Sequence, residues 1–568
     1  MLSGWFQEDL RDNPAFATNL GLDVGELAPL RGQLGDASLA ESNEDREQAV
    51  ARHRQIRAFG REGLSTDGQL NYDIAEFRWS VAADSARFRY GSAGGGRPAP
   101  YVVSQLGGAY YGVPDFLDSQ HPVRTAEDAE AYLSRLDQFG RVLEQEVERI
   151  RHDASVGVIP PDFVLDKAID NIQRMRAAPA AESTLVRSLA RRAREANLTG
   201  DYEARAARLV SGRIARGLEA QLAALREIRR NAVHDAGCWR LPGGDAYYAW
   251  GIRANTTTTM SGDEIHATGL AQVAELHARL DTMLRAQGYG NGTVGERLNA
   301  INREERFLYP NTDAGRAELL ASLNRQMAEL QPLLPRVFAT LPRTPVEIRR
   351  VPVSIEAGAP GGYYQGGSLD GSRPGAYYIN LKDTHEWPKL GLPTLTYHEA
   401  SPDHHFQGTI ARERGELPLY RRTGGFPAYS EGWALYAERV ADELGVYEND
   451  PFGRIGYLQS YLFRAVRLVV DSGLHAKRWS REQAIRYMVD NAAEPEGSAV
   501  REIERYAVWP GQACAYKIGQ TVIANLRDEA ERQMGARFDI RAFHDTVLLA
   551  GAMPLTVLER RVRGWMAA

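Results

Sequence analysis

His398 and Glu399 are adjacent, His404 and His405 follow on the same stretch, and Glu431 opens a second one, Glu431-Gly432-Trp433-Ala434. Two imidazoles and a carboxylate form a donor set that holds a single zinc ion and leaves a fourth position open for catalysis. A carboxylate placed directly after the first histidine can take a proton from water activated at that ion, which makes Glu399 the candidate general base. In the usual H-E-x-x-H helix the second histidine lies one turn on, at i+4. Here that position is Pro402, which cannot bind metal. On a regular helix His404, at i+6, stands roughly 240° around from His398, and His405, at i+7, returns to the same face roughly 10 Å along the axis. Pro402 lacks an N–H and cannot donate to the carbonyl of His398, so the helical ladder must open there. An opening that absorbs two residues makes His404 the second ligand, and one that absorbs three makes it His405. The other histidine then orients a carboxylate or meets substrate. Glu438, seven residues after Glu431 on the same helical face, is placed to support a ligating imidazole.

These side chains need elements to position them. Pro393 at a first helical position predicts a helix from there through Ser401. Val346 to Val353 alternates with β character, Gly358 to Gly371 is a Gly/Tyr-rich loop, and Gly375 to Leu381 reads as a strand. Strand, loop and His-Glu helix is the order of gluzincin-type zinc peptidases. There the strand before the helix is a sheet edge that pairs with an extended peptide, which makes Tyr377 and Tyr378 candidate substrate contacts. From Glu431 to Ala568 the pattern is helical.

The N-terminal half is helical as well. Boundaries fall at Asn13-Pro14 and Gly21-Leu22-Asp23, Tyr90 to Pro122 reads as a structured loop with Gly94-Gly95-Gly96 inside it, and Thr125 starts a long helix. Further helices are predicted over about 161–177, 203–233 and, capped by Ser261 to Glu264, through Arg285. Arg226, Arg229 and Arg230 read as a solvated face and His266 as a structural histidine. The expected fold is mainly α with a small β-sheet. A helical N-terminal region, 1–235, would wall a cleft, and 236–568 would carry the zincin-like catalytic part.

Composition bounds the rest. Of 568 residues 43% are hydrophobic and 25% charged, which is ordinary for a globular chain, and a net charge of −6 gives nucleic acid no basic field to follow. Two cysteines without C-x-x-C spacing support neither a disulfide framework nor a thiolate metal site. No stretch is long enough to span a bilayer and the start lacks a signal-peptide pattern, so the expected location is the cytoplasm, or outside it if a leader has been removed.

Beyond the pattern, His398 to Gln407 resembles the H-E-x-x-P-G-H-H-x-Q signature of the bacterial domain-of-unknown-function family 885. Glu431 to Glu438 matches its E-G-W-A-L-Y-A-E block. Gly243 to Trp250, Glu264-Ile265-His266, Asp471 to His475 with Trp479, and Arg505-Tyr506 through Pro510 to Gly519 extend the resemblance over nearly the whole chain. It implies a mostly helical protein with a small sheet beside a gluzincin-like site built on His398, His404 or His405, and Glu431. One departure stands out: the family's glycine is Asp403 here, a position where a positive φ or a close backbone approach is expected. Tyr516 and His475, in the C-terminal blocks, are candidates for stabilising the oxyanion, with Tyr506 behind them. Arg501 and Arg505 are candidates for holding a peptide's terminal carboxylate. The function these residues imply is zinc-dependent hydrolysis of short peptides. The competing readings are a zinc hydrolase of non-peptide amides or esters, and a peptide-binding module impaired by Asp403.

Overall fold

The computed structural model describes residues 1–92, 98–353, 356, 361–369 and 373–568. Gly94 to Gly96 and the two ends of the loop from Gly358 to Gly371, residues 358–360 and 370–371, lie outside the described residues. The chain is mainly α-helical with one small sheet. It divides into two units, residues 1–64, 75–250 and 507–509 in the first, and 65–74, 251–506 and 510–568 in the second.

Capping sets the helix starts of the first unit. Asn13 accepts from the N–H of Phe16 to open Pro14–Leu20, and Gly21 ends that helix in the left-handed region. Thr125 and Asp128 cap each other's backbone in a capping box that starts Ala126–Ser155. The apolar stripe of this long helix, Tyr132, Leu136, Phe139 and Leu143, is the centre of the unit's core. A helix at Ala109–Ser119 lies within the passage expected to be loop. Its Tyr110, Phe116 and Leu117 are buried in that core, so tertiary packing outweighs the glycines that break local periodicity. The helix expected over 203–233 is interrupted by a π turn at Val210–Ile214.

One buried acid in this core makes stability depend on pH. Glu146 accepts hydrogen bonds from the Ala109 N–H at 2.8 Å and the Gln221 amide at 2.6 Å, yet burial pushes its carboxyl up to about 7. The fold therefore prefers the protonated form. Its stabilising contribution is complete below the ordinary carboxyl value of 4.5 and is lost as pH rises through about 7. Glu146→Gln removes that loss, because its amide can pair with a turned-over Gln221, whose Oε1 has no partner. Urea unfolding at pH 8.5 is expected to show the variant more stable by up to about 3 kcal/mol, with no gain at pH 4.

In the second unit Ser261 and Glu264 form a capping box for Gly262–Ala286. The sheet has three strands, Glu347–Arg350 (β1), Gly362–Gln365 (β2) and Ala376–Ile379 (β3), in the order β1-β3-β2. β1 runs parallel to β3, with Ile348 opposite Tyr377, and β2 antiparallel, with Tyr364 opposite Tyr377. The strand before the His-Glu helix is therefore the central one. β3 is not the sheet edge that the order of elements implies. Its two sides are taken by β1 and β2, and among the described residues β2 is an edge.

Six helices carry the site residues and their supports: Leu392–Glu399 (α1), His404–Glu413 (α2), Pro427–Glu443 (α3), Pro451–His475 (α4), Glu496–Val508 (α5) and Cys514–Met534 (α6), all of this unit except the last two residues of α5. α3 and α6 meet backbone to backbone. A Cβ on Gly432 would lie 2.5 Å from the Cα of Gly519, and a Cβ on Gly519 would strike the carbonyl oxygen of Ala428. Only glycine at both positions permits this crossing.

Candidate metal centre

α1 starts with Pro393 in its first turn and stops at Glu399, two residues earlier than the sequence predicts. Ala400 leaves helical geometry, Ser401–Pro402 is cis, and α2 begins afresh at His404. A full break replaces the expected bulge. The indole N–H of Trp433 on α3 donates to the Pro402 carbonyl at 3.0 Å, and so pins the break beside the helix that carries Glu431. Asp403 sits at φ −111°, outside the left-handed region expected for the family's glycine.

The break brings His404 beside His398, with ring centroids 5.0 Å apart and planes at 86°. Glu431 Oε2 lies 3.3 Å from His404 Nε2 and 3.9 Å from His398 Nε2. Ligand atoms of these three residues all fall within 4.8 Å of one another, a candidate three-residue metal site. On its far side His398 Nδ1 stands 2.9 Å from Glu438 Oε1, so Nδ1 carries the proton and Nε2 presents its lone pair toward Glu431. Ser460 donates to the other Glu438 oxygen at 2.8 Å, and Arg464 donates to Ser460 at 2.6 Å.

The charges suit a cation. Burial opposes protonation of His404, but the carboxylates of Glu431 and Glu399 overcome it and raise its pKa. Burial also works against ionised Glu431, yet His404, Arg467 and a hydrogen bond from the Tyr516 hydroxyl bring its pKa down. Positive charge between His404 and Glu431 is thus stabilised, and two imidazole nitrogens with one carboxylate form a set that zinc accepts.

Glu399 is buried beside this set, and burial, then Glu431, push its carboxyl up to about 6 against the pull of His404. The Tyr364 backbone N–H of β2 donates to it. His405 points elsewhere: Nε2 donates to the Thr344 carbonyl at 2.9 Å and Nδ1 accepts from the Tyr364 hydroxyl at 3.2 Å. Both of its nitrogens are engaged, and burial lowers its pKa, so it is a neutral support between β2 and α2.

The other sequence candidates are spread over the unit. Tyr516 meets Glu431, as described. His475 is buried at the end of α4 with Nε2 3.1 Å from the Tyr506 carbonyl. Tyr506 donates to Glu502 at 2.5 Å. Arg505 is held by Glu502 at 3.0 Å and Gln512 at 2.9 Å, while Arg501 is exposed. Tyr377 is fully buried and Tyr378 stacks on Tyr363 at 5.2 Å. His266 faces Ser472 at 2.9 Å and the edge of Trp479.

Sequence reasoning passed over Tyr364, Ser460, Arg464 and Arg467. Its available signal was the run Tyr461-Leu462-Phe463-Arg464-Ala465-Val466-Arg467, where two cations interrupt an apolar helix at a spacing of one turn.

The model for the family described as "Bacterial protein of unknown function (DUF885)" matches residues 14–562. Among solved structures, the chain is similar to a "putative lipoprotein from Colwellia psychrerythraea" at 36% identity and TM-score 0.96, over 99% of this chain and 97% of that one. It also shares its fold with a "putative lipoprotein of unknown function from Shewanella oneidensis" at 19% identity and TM-score 0.72, over 98% of each chain. A "putative oligoendopeptidase F from Bacillus anthracis" aligns at 11% identity and TM-score 0.25, over 92% of this chain and 96% of that one, a level that establishes no common fold. No curated protein matches. A family match that runs through both units and every element of the candidate site makes this chain a member of DUF885.

Proposed function

We propose that this protein is a zinc-dependent hydrolase that cleaves short peptides. The observation that carries this reading is the convergence of His398, His404 and Glu431 with Glu399 buried alongside. Zinc bound by the three ligands supplies Lewis acidity to a scissile carbonyl and to water. Glu399 takes the proton from the attacking water and passes it to the leaving amine. A pKa near 6 suits a base that works close to neutrality. Tyr364 holds the carboxylate by its backbone N–H, Glu438 fixes the tautomer of His398, and Tyr516, already beside Glu431, is assigned to the oxyanion. Because the Tyr364 N–H is turned to Glu399, the free edge of β2 faces the reacting centre, which favours an extended peptide over a compact substrate. The description of the Colwellia relative as a lipoprotein supports a location outside the cytoplasm.

Metal analysis tests the reading. Protein purified without added zinc is expected to hold one ion per chain and to lose it in His398→Ala and in Glu431→Ala. Full zinc occupancy in both variants would sink the ligand assignment.

A second reading rests on Asp403. Both of its carboxylate oxygens are buried without a hydrogen-bond partner, one 3.6 Å from His398 Nδ1 and the other 3.8 Å from His404 Nδ1. If this group disables turnover and leaves a peptide-binding module, hydrolysis appears only in Asp403→Gly.

A further inference from the structure

Arg464 and Arg467 lie three residues apart on α4 and so share one face of that helix. Both guanidinium groups lie near the Phe463 ring, Arg467 at 4.2 Å from its centroid and Arg464 at 5.6 Å. Arg467 also covers the ring of Tyr516 at 4.8 Å. Each is linked to a different metal-ligand candidate by a short chain of contacts. Arg464 reaches His398 through Ser460 and Glu438, and Arg467 reaches Glu431 through Tyr516.

Acids surround the pair, Glu502 beside Arg467 and Glu438 and Glu494 within electrostatic reach of Arg464, yet part of each guanidinium is left without a hydrogen-bond partner. Arg467 donates to Glu502 at 3.0 Å, but the same carboxylate oxygen also receives Arg505 and the Tyr506 hydroxyl. Arg464 bonds the hydroxyl and carbonyl of Ser460, and among the described residues no carboxylate lies within 4.0 Å of it. The Nε–H groups of both are buried without a partner, and Arg467 itself is only 8% exposed. A buried guanidinium edge left unsatisfied is costly, and a carboxylate is the group whose geometry best satisfies it.

Two other arginines are less suited to the task. Arg505 also has a buried Nε–H without a hydrogen-bond partner, but its two terminal nitrogens are taken by Gln512 and Glu502, and Arg501 is exposed.

We propose that Arg464 and Arg467 form the subsite that receives the terminal carboxylate of the peptide, so that the substrates are short peptides with a free carboxyl end. This rests on the hydrolase reading, and it turns an unspecified peptide into one recognised by its end. The aromatic rings of Phe463 and Tyr516 hold the two guanidiniums in place before substrate arrives, which limits the ordering cost of binding.

The test uses the full chain, zinc-loaded and carrying Glu399→Gln, titrated calorimetrically with an N-acetylated dipeptide as its free acid and as its C-terminal amide. The acid is expected to bind about 30-fold tighter, as charge-assisted bidentate contacts would give. Adding Arg464→Met or Arg467→Met is expected to weaken the acid about tenfold more than the amide. Equal binding of acid and amide, binding of neither, or arginine variants that weaken both alike would overturn the subsite, the last because it signals a general electrostatic role. If a variant fails to fold, the comparison of acid and amide in the parent decides. Hydrolysis of the same two ligands by the wild-type protein separates this proposal from the reading beneath it. Equal cleavage of both removes the subsite and keeps the peptidase. Cleavage of neither, with the preference for the acid intact, removes the peptidase and keeps the subsite.

Discussion

Glu399→Gln is expected to lower kcat for a short peptide by about 10³-fold while zinc stays bound, the range that general-base removal gives. Glutamine fills the same volume and can still accept the Tyr364 N–H, so the pocket keeps its shape. What it cannot do is accept a proton. Glu399 is also not among the three residues whose ligand atoms converge, so metal content should not fall. Measuring kcat and zinc content on one preparation checks both halves. A loss under tenfold would mean that another group takes the proton, and a loss of zinc would mean that Glu399 is a ligand.

A second large effect comes from backbone packing alone. Gly519→Ala places a methyl group against the Ala428 carbonyl and within 2.7 Å of the Gly432 Cα. Backbone atoms on both sides cannot rotate away as a side chain could, so α3 and α6 must separate. Over-packing of this kind costs about 3 kcal/mol. Glu431 precedes Gly432 on α3, and Tyr516 sits one turn before Gly519 on α6, so their hydrogen bond is strained by the same separation. Thermal unfolding and zinc titration of Gly519→Ala should show a lower midpoint together with weaker zinc affinity. An unchanged affinity would show that the crossing does not position Glu431.

Much of this was legible in the order of residues. Pro393 and Pro402 bracket α1 because proline acts through local chemistry, the fixed φ and missing N–H, which needs no tertiary information. The spacing of Glu431 and Glu438 also reads directly, since seven residues on a helix return to one face. The choice between His404 and His405 was not legible. It depends on where the backbone travels between Ala400 and Asp403, and that path is held by Trp433, a residue on another helix. Strand order was hidden for the same reason, as no local signal tells β3 that β1 and β2 will flank it. Gly432 and Gly519 look unremarkable until the two helices meet. Arg464 and Arg467 were concealed by the opposite effect, because charged residues in a helix read as its solvated face, whereas α4 is buried without a break from Ala465 to His475.

The contact between Gly432 and Gly519 also bears on when the proposed metal site can form. His398, His404 and Glu431 are made well before α6, but the crossing that seats α3 requires Gly519. During synthesis the three candidate ligands exist before the helix that fixes one of them. Formation of the proposed site is thereby tied to completion of the C-terminal part. A chain cut before Cys514 would carry all three ligands and hold zinc only as loosely as an unfolded peptide.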